Sequence, residues 1–285
     1  MNQDLYLLSY LIICASAFLA SGLTLFTGFG LGTLLMPVFA IFFPVNIAIS
    51  LTALVHLTNN LFKLSIFGRH AHWKTVIYFG IPAFLASLLG AACLVWFSGL
   101  NPIVRYKIFG KEFEILPINI VMSILMIIFA MLELVPKLQG NLFRRSSPQV
   151  SHGPLGLRQN KYLAIGGVLS GFFGGLSGHQ GAFRSAFLIK MGLSKECFIG
   201  TGVVIACFVD IVRIFVYGRH LILTHILENG TLLLCATLSA LVGISVGSLW
   251  LKKITIKNLQ ILVAFLLFII AIVLGTGLLS SVHPR

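Results

Sequence analysis

Asp210 and Arg213 stand three residues apart in an otherwise apolar stretch, a spacing that puts a carboxylate and a guanidinium on one helix face. A second stretch carries His56, Asn59 or Asn60, Lys63 and Phe67 at helical spacing, again a polar stripe on one face. The two stretches share a pattern. Asn60, Lys63, Gly68, Arg69 and His70 align with Asp210, Arg213, Gly218, Arg219 and His220, since 210 minus 60 and 220 minus 70 both give 150. Ionised groups are costly in a bilayer, so they face protein or a wet cavity and take partners. A carboxylate has no long stem with which to reach the interface, which marks Asp210 as the strongest functional candidate. The chemistry expected is a protonation-sensitive gate formed by His56, Asn60, Lys63, Asp210 and Arg213. The competing reading lets the cations snorkel to the interface. It is favoured for Arg69 and Arg219, and is evenly matched for Lys63 and Arg213, which lie a turn deeper.

The same offset sets Thr27-Gly28 over Ser177-Gly178. Around the first pair runs a glycine-rich stretch from Thr27 to Gly32, and around the second a longer one from Ser170 to Gly181. Glycines permit irregular backbone, and unwound backbone leaves amide donors free. A helix restarting after Gly181 aims its positive end into the break, an environment suited to an anion. Ser177, His179, Gln180 and Arg184 add donors, Arg184 as a planar fork for an oxyanion. The substrate-binding set is therefore Gly28, Gly30, Ser177, Gly178, His179, Gln180 and Arg184. Tight helix packing is the competing reading for the glycines, and an ordinary buried histidine for His179.

These residues need long apolar elements to position them. No Asp, Glu, Lys or Arg falls between Asp4 and Lys63, and a crossing takes about 20 apolar residues. Helices are expected over 5–26, 33–43 (short, before Pro44), 45–67, 74–97 and 115–135. A basic and acidic connection at 105–114 is either a small hairpin or a solvated loop. Residues 137–161 read as a basic cytoplasmic linker. The second half repeats the order over 162–176, 182–191, 197–217, 224–251 and 257–279. The expected architecture is an all-α polytopic membrane protein of about 8–10 transmembrane segments. Its parts are a first repeat over 1–136, the linker over 137–161 and a second repeat over 162–285. Each repeat has a broken or re-entrant short helix. An odd number of passes per half inverts the second repeat, and the distribution of basic loops favours that arrangement over a parallel one.

Composition agrees. Mean hydropathy is +1.02, with 58% hydrophobic and 9% charged residues, far from the roughly 25% charged content of soluble domains. The formal charge of +13 sits in short connections, so the positive-inside rule explains it better than nucleic-acid binding does. The first apolar run lacks a basic flank and a small-residue cleavage site, and reads as a retained helix rather than a signal peptide. Cys14, Cys93, Cys197, Cys207 and Cys235 lack metal or redox spacing. No metal or cofactor is expected. His56, His70, His72, His179, His220 and His225 leave one alternative, a haem-binding membrane subunit of a redox complex. Their placement follows the duplication rather than facing pairs. Ser177-Gly178-His179 supplies nucleophile and base types without a separated catalytic set, so an enzyme is not expected.

The run Gly28-Phe29-Gly30-Leu31-Gly32-Thr33-Leu34-Leu35-Met36-Pro37, the run Gly174-Gly175-Leu176-Ser177-Gly178-His179-Gln180-Gly181 and the paired Gly68-Arg69-His70 and Gly218-Arg219-His220 resemble the TauE/SafE sulfite exporter family of membrane permeases. The resemblance covers nearly the whole chain except the linker. It implies secondary transport of a small anion such as sulfite, a sulfonate or another sulfur-containing or organic anion across the cytoplasmic inner membrane, coupled to the proton gradient, with a homodimer as a candidate assembly. Two departures bear on substrate: Phe187 stands where the first repeat has Pro37, and His179-Gln180 replaces part of a glycine run.

Overall fold

Apolar windows long enough to span a bilayer define the architecture of the computed structural model, which describes residues 3–27, 31–108, 111–134, 157–218, 223–250 and 256–281. Among the described residues, four helices reach crossing length and hydropathy: Val45–His70, Trp73–Ser98, Lys195–Tyr217 and Asn229–Val246. Shorter apolar helices accompany them. In chain order the helices are α1 (Gln3–Thr27), α2 (Leu31–Phe42), α3 (Val45–Phe67), α4 (Trp73–Ser98), α5 (Pro117–Leu134), α6 (Leu157–Ser177), α7 (Gln180–Ile189), α8 (Lys195–Tyr217), α9 (Leu223–Trp250) and α10 (Ile256–Gly275).

Local chemistry sets several ends. Pro44 stands at the N-cap of α3, where a missing donor costs nothing. Ser194 caps α8, its hydroxyl accepting from the Cys197 N–H at 3.3 Å. The His72 ring caps α4 by accepting from the Thr75 N–H. Val76–Gly80 within α4 widens to π geometry just before Pro82, whose ring removes a ladder hydrogen bond.

Large apolar side chains such as Leu89, Phe215 and Phe265 are exposed, whereas Asp210, Arg213 and Lys63 are buried. That distribution inverts the soluble pattern and suits a hydrocarbon solvent. The main packing pairs are α4 with α6, α1 with α9, α5 with α10 and α3 with α8. Glycine lets α4 and α6 approach closely: a Cβ on Gly171 would lie 2.0 Å from the Ala83 carbonyl oxygen, one on Gly175 2.2 Å from that of Ser87, and one on Gly90 2.1 Å from that of Phe172. Ser123 on α5 donates to the Ala271 carbonyl on α10 at 2.6 Å.

The structure revises four expectations. The connection at 105–114 is a hairpin, β1 (Val104–Ile108) antiparallel to β2 (Lys111–Ile115), so the fold is helical with one small two-stranded sheet. Cross-strand neighbours are opposite in charge at Arg105–Glu114 and Lys107–Glu112, and Tyr106 stacks on Phe113 at 5.4 Å. Second, α6 begins at Leu157, inside the stretch read as linker; residues 135–156 of that stretch lie outside the described residues. Third, the segment from Ser170 to Gly181 is not unwound throughout. Its glycines to Gly175 are helical and serve the packing against α4, and the helix breaks only at Gly178 and His179 before restarting at Gln180. Fourth, Lys63 and Arg213 do not snorkel, being 6% and 1% exposed. Arg69 is exposed, whereas Arg219 and His220 lie outside the described residues.

Candidate functional site

The break between α6 and α7 turns at Gly178, whose φ of +82° favours glycine. Space reinforces the demand, because a Cβ there would meet Arg213 Nη2 at 3.0 Å. The Gly178 carbonyl in turn abuts the start of α2, where a Cβ on Gly32 would lie 3.0 Å from it. The first turns of α2 and α7 therefore meet beside α3 and α8, bringing two positive helix ends to one place.

Asp210 is the centre of this place and is fully buried. Its Oδ2 accepts from His56 Nδ1 at 2.6 Å and from Asn60 Nδ2 at 2.9 Å. Its Oδ1 accepts from Gln180 Nε2 at 2.9 Å and from Arg213 Nη1 at 3.1 Å. Four donors from α3, α7 and α8 thus converge on one carboxylate, which holds those helices in register. Arg213 Nη2 also reaches the Ile49 carbonyl at 3.4 Å.

Gln180 bridges inward and outward. Its amide nitrogen serves Asp210, while its carbonyl accepts from Arg184 Nη1 at 3.3 Å. Arg184, 6% exposed, runs over Gly202 of α8, where a Cβ would lie 3.4 Å from Nε. Lys63 is equally buried, makes no hydrogen bond or ion pair among the described residues, and has the Arg184 guanidinium as its charged neighbour. Among the described residues, three buried basic side chains, Lys63, Arg184 and Arg213, stand with one buried carboxylate, Asp210.

The other side of the break is aromatic. His179 is fully buried, its Nδ1 lying 3.0 Å from the Ser177 carbonyl, an acceptor only, so Nδ1 bears the proton. Its ring stacks on Phe129 of α5 at 4.6 Å, with Phe173 and Phe183 completing the wall. His179 Nε2 has no hydrogen-bond partner among the described residues. Ser177 Oγ donates to the Phe173 carbonyl at 2.9 Å.

Of the residues singled out in the sequence, His56, Asn60, Gly178, Gln180, Asp210 and Arg213 form one network with Arg184 joined to it through Gln180, and Lys63 is buried. Gln180 of the expected binding set and Arg213 of the expected gate donate to the same carboxylate. His179 and Ser177 stand outside that hydrogen-bond network. Gly28 and Gly30 lie outside the described residues. Phe129, Phe173 and Phe183 were missed, since an aromatic residue in an apolar helix carries no signal of its own. The haem alternative finds no support. His56 is committed to Asp210, and His72 caps α4.

A cavity of about 250 Å³ opens beneath the hairpin and is lined by Phe43, Asn46, Ile47, Ser98, Glu114 and Asn119 among others. Its floor includes the first turn of α3, a few residues before Ile49, whose carbonyl accepts from Arg213.

Fold and site define a multi-pass helical membrane protein with a sequestered charged centre. The family model described as Sulfite exporter TauE/SafE matches residues 13–274, and the chain belongs to that family, one of membrane transporters. No curated protein and no solved structure matches the chain.

Proposed function

We propose that the protein is a secondary transporter that moves a small anion, such as sulfite or a sulfonate, across the cytoplasmic membrane in exchange with or alongside protons. The observation that carries this reading is the gathering of three buried basic side chains, Lys63, Arg184 and Arg213, with a single buried carboxylate, Asp210, among the described residues. Basic groups in a low-dielectric interior are costly, and an anionic substrate relieves that cost. The converging starts of α2 and α7 favour the same sign of ligand.

Proton coupling rests on His56 and Asp210, which share a 2.6 Å hydrogen bond inside the cluster. Uptake of a further proton by this pair makes the centre more positive and so strengthens anion binding, while the anion in turn favours the protonated pair. The cavity beneath the hairpin serves as vestibule on that side.

The two halves are read as an inverted duplication. Helices α3 and α8 both have 23 residues and bounds that differ by 150. The pairings of α1 with α9 and α4 with α6 exchange under the same offset, and Asn60 touches Asp210, its own counterpart. Contact between counterparts is what a twofold axis through the site produces. Reporter fusions at Gly68, Asn101, Gln149 and Arg219 test the orientation, the inverted reading requiring Gly68 and Gln149 on one side and Asn101 and Arg219 on the other. The transporter reading is tested with purified protein in proteoliposomes. Flux of sulfite or a sulfonate under an imposed gradient supports it, and no flux of any small anion under any gradient rejects it.

A further inference from the structure

We infer that the cavity beneath the hairpin is a second anion seat, apart from the Asp210 cluster, where the first turn of α3 and Asn119 of α5 hold a small oxyanion. That the oxyanion is of the sulfonate or sulfite class rests on the transporter reading. At about 250 Å³ the cavity suits a small solute rather than a drug-sized one, whose pockets run from roughly 300 to 1,000 Å³. Val45, Asn46 and Ile47 line it and open α3 with amide N–H groups that no side chain caps and no carbonyl accepts among the described residues. Val45 and Ile47 are buried, and buried amide donors take a partner. Asn119 is 5% exposed and lines the same cavity, and its side-chain amide makes no hydrogen bond among the described residues.

The sign of the ligand follows from which groups are already served. Carbonyls at the ends of α2, α4 and α10 beside the cavity are in use: Phe39 accepts from the Phe43 N–H, Val95 and Trp96 from the Gly99 N–H, and Leu274 from the Gly277 N–H. Donors remain, and α3 aims its positive end the same way. Glu114 on the wall is paired with Arg105 at 3.1 Å, and the hairpin carries Arg105, Lys107 and Lys111 against two glutamates. The other half of the chain supplies the contrast. Under the offset of 150, Ser194 stands for Pro44 and Glu196 for Asn46. There the Ser194 hydroxyl accepts from the Cys197 N–H at 3.3 Å, and Glu196 puts a carboxylate in the first turn of α8. Helix α8 thus brings its own acceptors, whereas α3 has a proline and an amide and leaves its donors to a ligand. The counterpart of Asn119 is Ile269, so the duplication does not repeat the seat.

Ser98→Cys places a thiol on the cavity wall. In the purified full chain its reaction with neutral methyl methanethiosulfonate is followed by mass spectrometry of the peptide holding position 98. Methanesulfonate, or its uncharged isostere dimethyl sulfone, is added at constant ionic strength. Methanesulfonate is expected to slow the reaction to a plateau, and dimethyl sulfone to leave it unchanged. In the same background Asn119→Leu raises the half-protecting concentration of methanesulfonate about tenfold or more, the loss of a hydrogen bond to a charged group. Asn46→Glu abolishes protection by setting a carboxylate at the seat. No protection, equal protection by dimethyl sulfone, or protection that Asn119→Leu or Asn46→Glu leaves unmoved overturns the inference. A thiol closed to the reagent overturns it too, since the cavity must admit a solute of that size. Should Asn119→Leu not remain monodisperse, Asn46→Glu, which gives α3 the residue α8 carries at this place, decides alone. Anion flux in proteoliposomes without protection at position 98 sinks this seat alone; protection without flux of any anion leaves the seat standing and sinks the transporter reading.

Discussion

Helices α3 and α8 are matched in length and lie against each other at the centre, yet their chemistry is unequal. Where α8 has Asp210, Arg213 and Tyr217, α3 has Asn60, Lys63 and Phe67, and His56 of α3 stands opposite Ala206 in the offset. The carboxylate sits on α8 alone, and Asn60 serves it as a donor. A second carboxylate in place of Asn60 would set two negative charges within hydrogen-bond distance. The difference teaches that two similar scaffolds divide the parts of one cluster: α8 supplies the Asp210–Arg213 ion pair, and α3 supplies His56 and Asn60 as donors to its carboxylate.

The sharpest way to break this comparison is to move the carboxylate. Asp210→Asn strips Arg213 of its partner and is expected to lower stability by about 3–5 kcal/mol, the usual cost of opening a buried pair. Asn60→Asp on its own is harmful too. The double exchange, Asn60→Asp with Asp210→Asn, is expected to return part of the loss in thermal unfolding of the detergent-purified protein, because the two side chains touch each other and both touch His56. If the exchange is no better than the worse single change, the two helices are not equivalent supports.

A smaller effect comes from the glycines that let helices approach. Gly171→Val pushes side-chain atoms into the Ala83 backbone and is expected to cost about 1–3 kcal/mol. Gly218, where an added Cβ meets nothing within 4 Å among the described residues, is expected to tolerate Ala within about 0.5 kcal/mol. Equal melting points for the two variants would contradict the packing described for α4 and α6.

Tyr217 sharpens the contrast at the far end of the stripe. Its hydroxyl donates to the Gly175 carbonyl, tying α8 to α6, a bond its counterpart Phe67 cannot make. Tyr217→Phe is expected to cost about 0.5–1.5 kcal/mol, read as a lower unfolding midpoint with anion affinity little changed.

The hairpin pair gives the smallest response. Lys107 hydrogen-bonds to Glu112 and its charge holds that carboxyl below its ordinary range, while Glu112 raises the Lys107 ammonium in the same way. Any stability from Glu112 is present above the unfolded carboxyl range and is lost as pH falls through the lowered folded value. That from Lys107 is present below its unfolded value and is lost as pH rises through the raised folded one. Both side chains are open to water, so Lys107→Ala is expected to leave the unfolding midpoint between pH 5 and 8 unmoved.

Much of the fold was legible from residue types. The bounds of α3 were read without error because Pro44 and the Gly68-Arg69-His70 run punctuate an apolar stretch. The segment from Ser170 to Gly181 was overread as unwound, since glycine permits a break and also permits close packing. Only the neighbouring backbone of α4 distinguishes the two uses.

By itself the sequence determined a membrane-embedded helical chain with charges at matched places in its halves, because hydrocarbon admits few ionisable groups and each must be retained for cause. Tertiary structure alone decided that Asp210 gathers donors from three helices and that Gln180 ties Asp210 to Arg184 in one network. Hydrogen-bond partners across helices are chosen by the crossing of α3, α7 and α8, and no spacing along the chain encodes that crossing.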